Sequence, residues 1–275
     1  MSKLYLLTGA TGFVGRQVLQ QLLDQGASVR VIVRRGKEHM FEGQKNIESV
    51  VSTDDLFAEP PSFWNSVCDG IDTIIHVAWY VEPEKYLTAP ENLDCLIGTI
   101  NFAKAAAAMG VRRFVGIGTC FEYDLKGGVL STETKLKPGS PYGASKAAAF
   151  IALNASLPGL GVELAWCRLF FLFGQDEDPR RLVSYIRDML SKGEVANLTS
   201  GEQQRDYLDV VEAARMIVLT ADGDTQGPVN ICSGVAPTVR QLAEKLADEY
   251  GRRDLLNFGG RAPNPIDPPR IVGVK

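Results

Sequence analysis

Thr8-Gly9-Ala10-Thr11-Gly12-Phe13-Val14-Gly15 places three glycines at intervals of three residues. They follow a short apolar run, Lys3–Thr8. They open a stretch with helical spacing, Phe13–Gln25, in which Phe13, Val14, Val18, Leu19, Leu22 and Leu23 are apolar and Gly26 is a stop. A strand, a glycine turn and a helix in that order make the phosphate cradle of a dinucleotide-binding unit. Gly9 permits the tight turn, Gly12 lets the backbone approach a pyrophosphate, and Gly15 brings helix and strand together. Unpaired N–H groups at the helix start then face the phosphates. Thr11, Phe13 and Val14 complete this set of expected coenzyme contacts.

The same alternation continues downstream. Ser28–Val33, Asn46–Val51, Ile71–Val77, Arg113–Gly118 and Val162–Leu169 read as strands. Glu91–Met109, stopped by Gly110, and the alanine-rich Tyr142–Ser156 read as helices. Alternation of this kind requires right-handed crossovers and a parallel sheet covered on both faces. The fold class is α/β, a doubly wound parallel sheet of the Rossmann type, and its strands are apolar throughout as burial on two faces demands. After Leu169 the rhythm loosens. Helices are expected at Pro179–Ser191 and Thr238–Tyr250, with Thr238 as N-cap, and surface loops at Glu59–Pro61 and Ala262–Pro269. Residues 1–168 should mainly form the coenzyme domain and 169–275 a smaller, irregular substrate lobe, with a stretch near 206–232 returning to the first domain.

With 275 residues, 45% hydrophobic, the chain can bury a large core. A net charge of −4 argues against nucleic-acid binding, and no apolar run reaches membrane-spanning length. The N-terminus lacks the pattern of a signal peptide. Five scattered cysteines (Cys68, Cys95, Cys120, Cys167, Cys232) form neither a metal pattern nor a disulfide framework, which fits a reducing cytoplasm. Two histidines, His39 and His76, make a histidine-rich metal centre unexpected.

The second strand ends Ile32-Val33-Arg34-Arg35-Gly36, with no carboxylate to meet a ribose 2′-hydroxyl. Arg34 and Arg35 favour a 2′-phosphate, hence NADP(H) over NAD(H). Asp55 and Leu56 follow the third strand, towards the adenine edge, and Ala78 follows the fourth. Tyr142 and Lys146 are four residues apart, on one helical face. A neighbouring ammonium, with the positive nicotinamide ring of an oxidised coenzyme, would lower the phenol pKa and make Tyr142 a general acid/base, while Lys146 can also bond the ribose. Thr119, at the end of the fifth strand, supplies a hydroxyl for the substrate oxygen. Cys120 beside it has no histidine nearby in sequence to activate it.

These residues resemble the extended short-chain dehydrogenase/reductase family, the NAD-dependent epimerase/dehydratase branch that modifies nucleotide sugars. The resemblance rests on Thr8–Gly15, I-I-H-V-A at Ile74–Ala78, G-T-I-N-F at Gly98–Phe102, P-Y-G-A-S-K at Pro141–Lys146, R-L-F-F-L-F-G at Arg168–Gly174 and R-D-Y-L-D-V at Arg205–Val210. It implies that Thr119, Tyr142 and Lys146 are the catalytic set and that Arg205, with Arg261 more loosely, contacts the nucleotide diphosphate. Trp79, Tyr80, Cys120, Phe121, Tyr123 and Phe171 either line the sugar pocket or pack in the core. The chain departs from the family pattern at Cys95 and Phe171, where asparagine is frequent, and it ends short of the C-terminal segment many relatives carry, which implies a reduced substrate lobe. A homodimer through the helices Glu91–Met109 and Tyr142–Ser156 is a further implication, with Ala105–Ala108 and Ala147–Ala149 permitting close approach.

A 4-keto-sugar reductase is the first functional expectation, an epimerase with tightly bound NAD(P) the second, and a non-catalytic NADP(H) sensor the third. Dehydration is disfavoured, because that chemistry recruits an Asp-Glu pair directly after the strand-end hydroxyl. Here Cys120-Phe121 stand in those positions, and Glu122 is displaced by one residue and unpaired.

Overall fold

The computed structural model describes residues 3–264 and 267–275. Strands and helices alternate through the first part of the chain: β1 (Leu4–Thr8), α1 (Phe13–Asp24), β2 (Ser28–Arg34), β3 (Ile47–Thr53), α2 (Pro61–Cys68), β4 (Thr73–His76), α3 (Glu91–Ala108), β5 (Arg113–Thr119), β6 (Val129–Leu130), α4 (Pro141–Ser156) and β7 (Glu163–Leu169). Shorter elements follow: β8 (Phe171–Phe173), α5 (Leu182–Lys192), β9 (Ala196–Leu198), β10 (Gln204–Arg205), β11 (Tyr207–Asp209), α6 (Val210–Asp222), β12 (Gly227–Ile231), α7 (Val239–Tyr250), β13 (Leu256–Phe258) and β14 (Arg270–Gly273).

Seven strands form one sheet in the order β12-β7-β5-β4-β1-β2-β3, each neighbouring pair parallel. The doubly wound α/β fold read from the sequence is therefore the fold of the chain. Val18 and Leu22 of α1 pack with Ile217 and Val218 of α6 on one face. Trp64 of α2, Phe102 of α3 and Leu153 of α4 pack on the other. Chain order reverses between β1 and β4, so the crevice opens at the C-terminal ends of these strands, where such sheets bind ligands.

The glycines of β5 have a packing cause. A Cβ at Gly116 or Gly118 would stand 2.2 or 2.3 Å from the Trp166 side chain, so the indole of β7 lies flat across its neighbour only because both are glycine. Beyond β7, α5 and α7 share a separate apolar cluster through Ile186, Leu190, Ala243 and Leu246, while α6 and β12 complete the main sheet. No helix among the described residues is long and apolar enough to cross a membrane.

Several local expectations shift. Pro60-Pro61, read as a loop, starts α2, with a proline in its first turn where no backbone N–H is needed. The third strand runs to Thr53, the fourth is confined to Thr73–His76, and α5 begins at Leu182 rather than Pro179. Thr238 caps α7, its hydroxyl accepting from Gln241 N–H at 3.1 Å. Within the expected loop Ala262–Pro269, Pro265 and Ile266 lie outside the described residues.

Candidate active site

Gly9 has φ +75°, and a Cβ there would press on the Ala78 backbone nitrogen at 2.8 Å. Gly15 is fixed more tightly, since its Cβ would stand 2.0 Å from the Gly9 oxygen. Gly12 differs: its Cβ would meet only the Gly9 oxygen, at 3.4 Å, and the space in front of it is open. It is also the N-cap of α1, with no side-chain cap and no acidic residue in the first turn. The helix N-terminus thus keeps free N–H groups and positive dipole beside an open glycine face, which fits a dinucleotide pyrophosphate.

From this cradle a cleft of about 720 Å³ runs along the C-terminal ends of the central strands. Gly9, Thr11, Gly12, Phe13, Val14 and Gly15 line one end, and Arg34, Asp55, Leu56 and Ala78 flank them. Thr119, Tyr142 and Lys146 line the same cleft together with Trp79, Cys120, Phe121 and Phe171. Beneath it His76 bridges two hydroxyls, with Nδ1 2.8 Å from Thr8 Oγ1 and Nε2 2.9 Å from Thr99 Oγ1. Burial lowers its pKa to about 3 and keeps it neutral. Thr8 Oγ1 accepts in turn from Ala78 N–H at 3.2 Å, which ties the ends of β1 and β4 together.

The proton-transfer group is buried. Ser140 caps α4, accepting from Gly143 N–H at 3.2 Å, and Pro141 sits in the first turn, so the helix starts just before the expected proton-transfer residues. Tyr142 is 9% exposed, lines the cleft together with Thr119 and packs edge-on against Tyr86 at 4.9 Å. Lys146 is 3% exposed; its Nζ donates to Ile117 O at 2.5 Å and stands 3.8 Å above the Trp79 ring. The expectation that Lys146 lowers the Tyr142 pKa is corrected here. Burial raises the phenol, Tyr86 adds to the rise, and the Thr119 hydrogen bond opposes it. Lys146 is itself brought down to about 7 by burial, with Glu122 acting against the fall.

Other residues go elsewhere. Arg35 is absent from the lining and pairs with Asp54, which does line the cleft, Nε to Oδ1 at 2.6 Å. Arg205 does not line the cleft: its Nη2 lies 2.6 Å from Asp267 Oδ1 and its Nη1 donates to Gln204 O at 2.7 Å. Arg261 lies over the Tyr185 ring at 4.5 Å, also outside the lining. Tyr123 is fully buried, donating to Asn230 Oδ1 at 2.7 Å, so it belongs to the core. Tyr80 is also absent from the lining; its backbone N–H reaches Cys95 Sγ at 3.3 Å. Burial pushes the Cys120 thiol up to about 12, which keeps it protonated. Glu122, which has no aspartate before it, is committed to the core: its Oε2 accepts from Arg168 Nε at 2.7 Å.

The sequence reading missed Lys37, Phe57, Tyr86 and Arg181, all of which line the cleft. It also missed Asn92. The Asn92 amide donates to Tyr86 O and Ala89 O at 2.7 and 2.9 Å, and its Oδ1 accepts from Trp79 Nε1 at 2.8 Å. Asn92 therefore shapes the loop that carries Trp79 and Tyr86. Its only signal in the sequence was an amide in the first turn of a helix beside the cleft.

A family model, NAD dependent epimerase/dehydratase family, matches residues 5–232. The dTDP-6-deoxy-L-talose 4-dehydrogenase (NAD(+)) of Aggregatibacter actinomycetemcomitans is 25% identical, over 89% of this chain and 90% of its own. Among solved structures, a UDP-N-acetylglucosamine 4-epimerase from Methanobrevibacter ruminantium superposes with TM-score 0.86 at 20% identity, over 99% of this chain and 89% of its own. The dTDP-glucose 4,6-dehydratase from Streptomyces venezuelae with NAD bound gives 0.82 at 22% identity, over 98% and 88%. The glycine cradle, the buried tyrosine–lysine pair and this match over most of the chain have one reading: the protein belongs to the NAD-dependent epimerase/dehydratase family of short-chain dehydrogenase/reductase-type enzymes.

Proposed function

We propose that the protein reduces a 4-keto nucleotide sugar with NADPH, Tyr142 acting as general acid. The observation that carries this reading is the meeting of the Thr119 hydroxyl, the Tyr142 phenol and the Lys146 ammonium in the cleft that starts at the glycine cradle. A bound nicotinamide coenzyme supplies the hydride. Thr119 polarises the keto oxygen, and the phenol, held protonated by burial, delivers its proton there. Lys146, while protonated, adds a positive charge at the ribose side of the site. The relative from Aggregatibacter is named for oxidation at the 4-position of a dTDP-6-deoxy sugar, and a 4-keto reduction is that reaction reversed. Dehydration lacks its acid pair, since Glu122 is committed to Arg168.

NADP(H) is favoured because Arg34 and Lys37 line the adenosine end; NAD(H) is the alternative, and several structural neighbours hold NAD. Epimerisation with retained coenzyme is the second reading. It is supported by ion pairs that draw the loop after β8 across the cleft mouth, Asp176 to Arg16 at 2.6 Å and Arg180 to Glu82 at 3.3 Å. A homodimer is proposed through the outer faces of α3 and α4, where Leu93, Ile97 and Ile151 are exposed. The alanines Ala105, Ala106, Ala147 and Ala149 are buried inside the subunit instead.

The test incubates the protein with dTDP-4-keto-6-deoxyhexose and either NADPH or NADH. Stoichiometric loss of the reduced-nicotinamide absorbance supports reduction, and sugar conversion without net loss supports epimerisation. Tyr142→Phe should keep coenzyme affinity and lose about 10²–10⁴-fold in turnover. Unchanged turnover removes Tyr142 from the mechanism.

A further inference from the structure

Glu122 is wholly buried yet touches neither cleft nor solvent. Its Oε1 accepts from Thr119 N–H at 2.8 Å and from Trp166 Nε1 at 3.0 Å, and its Oε2 accepts from Arg168 Nε at 2.7 Å. Arg168 passes the connection on: Nη1 donates to Tyr123 Oη at 2.9 Å, and Tyr123 donates to Asn230. Gly118 is glycine partly to admit this carboxylate, because a Cβ there would stand 2.4 Å from Glu122 Oε1.

The turn that Glu122 closes, Cys120–Glu122, has a reciprocal cap: Thr119 Oγ1 accepts from Phe121 N–H while Glu122 accepts from Thr119 N–H. That turn bears directly on the start of α4. A Cβ at Gly143 would lie 2.5 Å from Phe121 O, so the helix carrying Tyr142 rests on the backbone that Glu122 fixes. A buried ion pair is poor evidence of stabilisation, since apolar residues of like volume serve a core as well or better. Arg168 Nη2 is moreover buried without a hydrogen-bond partner. The arrangement is better explained by the geometry it enforces.

We propose that Glu122 is a positioning residue, whose carboxylate, held by Arg168 and Trp166, fixes the end of β5 and thereby the contact between the Thr119 hydroxyl and the Tyr142 phenol. The proposal rests on the reading of Thr119 and Tyr142 as the proton-transfer pair. Loss of the acceptor at position 122 leaves coenzyme and sugar binding intact and spoils the alignment of the two hydroxyls.

The test compares three variants of the full chain with the parent. E122L/R168M removes the buried pair at conserved apolar volume. E122Q/R168M restores a neutral acceptor for Thr119 N–H and Trp166 Nε1. E122D, for use if the first does not fold, keeps the charge and shortens the reach. With dTDP-4-keto-6-deoxyhexose and NADPH, kcat should fall by about 10- to 100-fold in E122L/R168M and in E122D, the scale of a 1 Å misplacement. KM for the sugar and Kd for NADPH should stay within about three-fold, and E122Q/R168M should recover most of the loss. Parent-like kcat in E122L/R168M or E122D, or no recovery with glutamine, overturns the proposal. If Tyr142→Phe proves fully active, the reaction assignment has failed, and crystal structures decide the role of Glu122 separately. A Thr119 hydroxyl displaced from the Tyr142 phenol without the acceptor and returned with glutamine supports positioning; an unchanged separation without the acceptor refutes positioning.

Discussion

Alanine at Gly15 and alanine at Gly12 should fail in different ways, although the two glycines are three residues apart. At Gly15 the new Cβ would lie 2.0 Å from the Gly9 oxygen and 2.6 Å from its carbon. Both are backbone atoms of the turn and neither can swing aside. Overpacking of this kind costs about 1–3 kcal/mol, and a chain of this size loses roughly 2–4 °C of Tm per kcal/mol. Gly15→Ala should therefore lower the Tm by about 3–10 °C with no ligand present. At Gly12 the Cβ meets one atom at 3.4 Å, and φ −83° suits alanine. The only folding loss is that of a poorer N-cap, about 1 kcal/mol or less. The methyl group instead stands on the open face of the cradle. Losing one or two charge-assisted hydrogen bonds to a pyrophosphate, about 1.5–3 kcal/mol each, weakens coenzyme binding by about 10- to 10⁴-fold. Thermal unfolding without ligand and titration with NADPH separate the two effects. A Gly12→Ala protein that binds coenzyme like the parent would place the pyrophosphate elsewhere, and a Gly15→Ala protein with unchanged Tm would show that the turn relaxes.

Lys146→Met removes a buried ammonium whose pKa is lowered from 10.5 to about 7 by burial. Between these two values the unfolded chain binds more protons, so this group makes parent stability rise with pH. The Tm advantage of the methionine variant should therefore be larger at pH 6 than at pH 9, and a pH-independent difference would contradict the burial argument. Ile97→Glu combined with Ile151→Glu puts charges on exposed apolar positions of α3 and α4. Light scattering on a sizing column should show a monomer in place of a dimer, and an unchanged mass would locate any self-association elsewhere.

What could be read from the sequence follows from how locally each feature is determined. The cradle was legible because each glycine answers to its own turn, Gly9 to Ala78 and Gly15 to Gly9. Tyr142 and Lys146 were legible because α4 alone sets their common face. Arg205 and Arg261 were placed by family pattern, and their positions are decided by remote partners, Asp267 and Tyr185, which no spacing in the sequence reveals. Arg181 and Tyr86 were missed for the same reason. They come from separate loops that meet over the cleft, with the Arg181 guanidinium 5.8 Å from the Tyr86 ring centre. The buried role of Glu122 could not be read because its partner Arg168 is a neighbour across the sheet, β5 beside β7, and not along the chain.

The protonation state of the phenol follows from the same burial that the sequence left unseen. In water a tyrosine four residues from a lysine keeps its ordinary pKa, and the pair says nothing about which species is present. Inside this cleft burial penalises every charged form. It raises the phenol and lowers the ammonium, so both groups are drawn towards neutrality. The phenol then holds its proton across the neutral range. Accepting one requires a further positive charge to stabilise the phenolate, and Lys146 supplies that charge only while it remains protonated, below about pH 7. In the protein alone the phenol is therefore kept neutral, and forming the phenolate calls for cationic charge beside it.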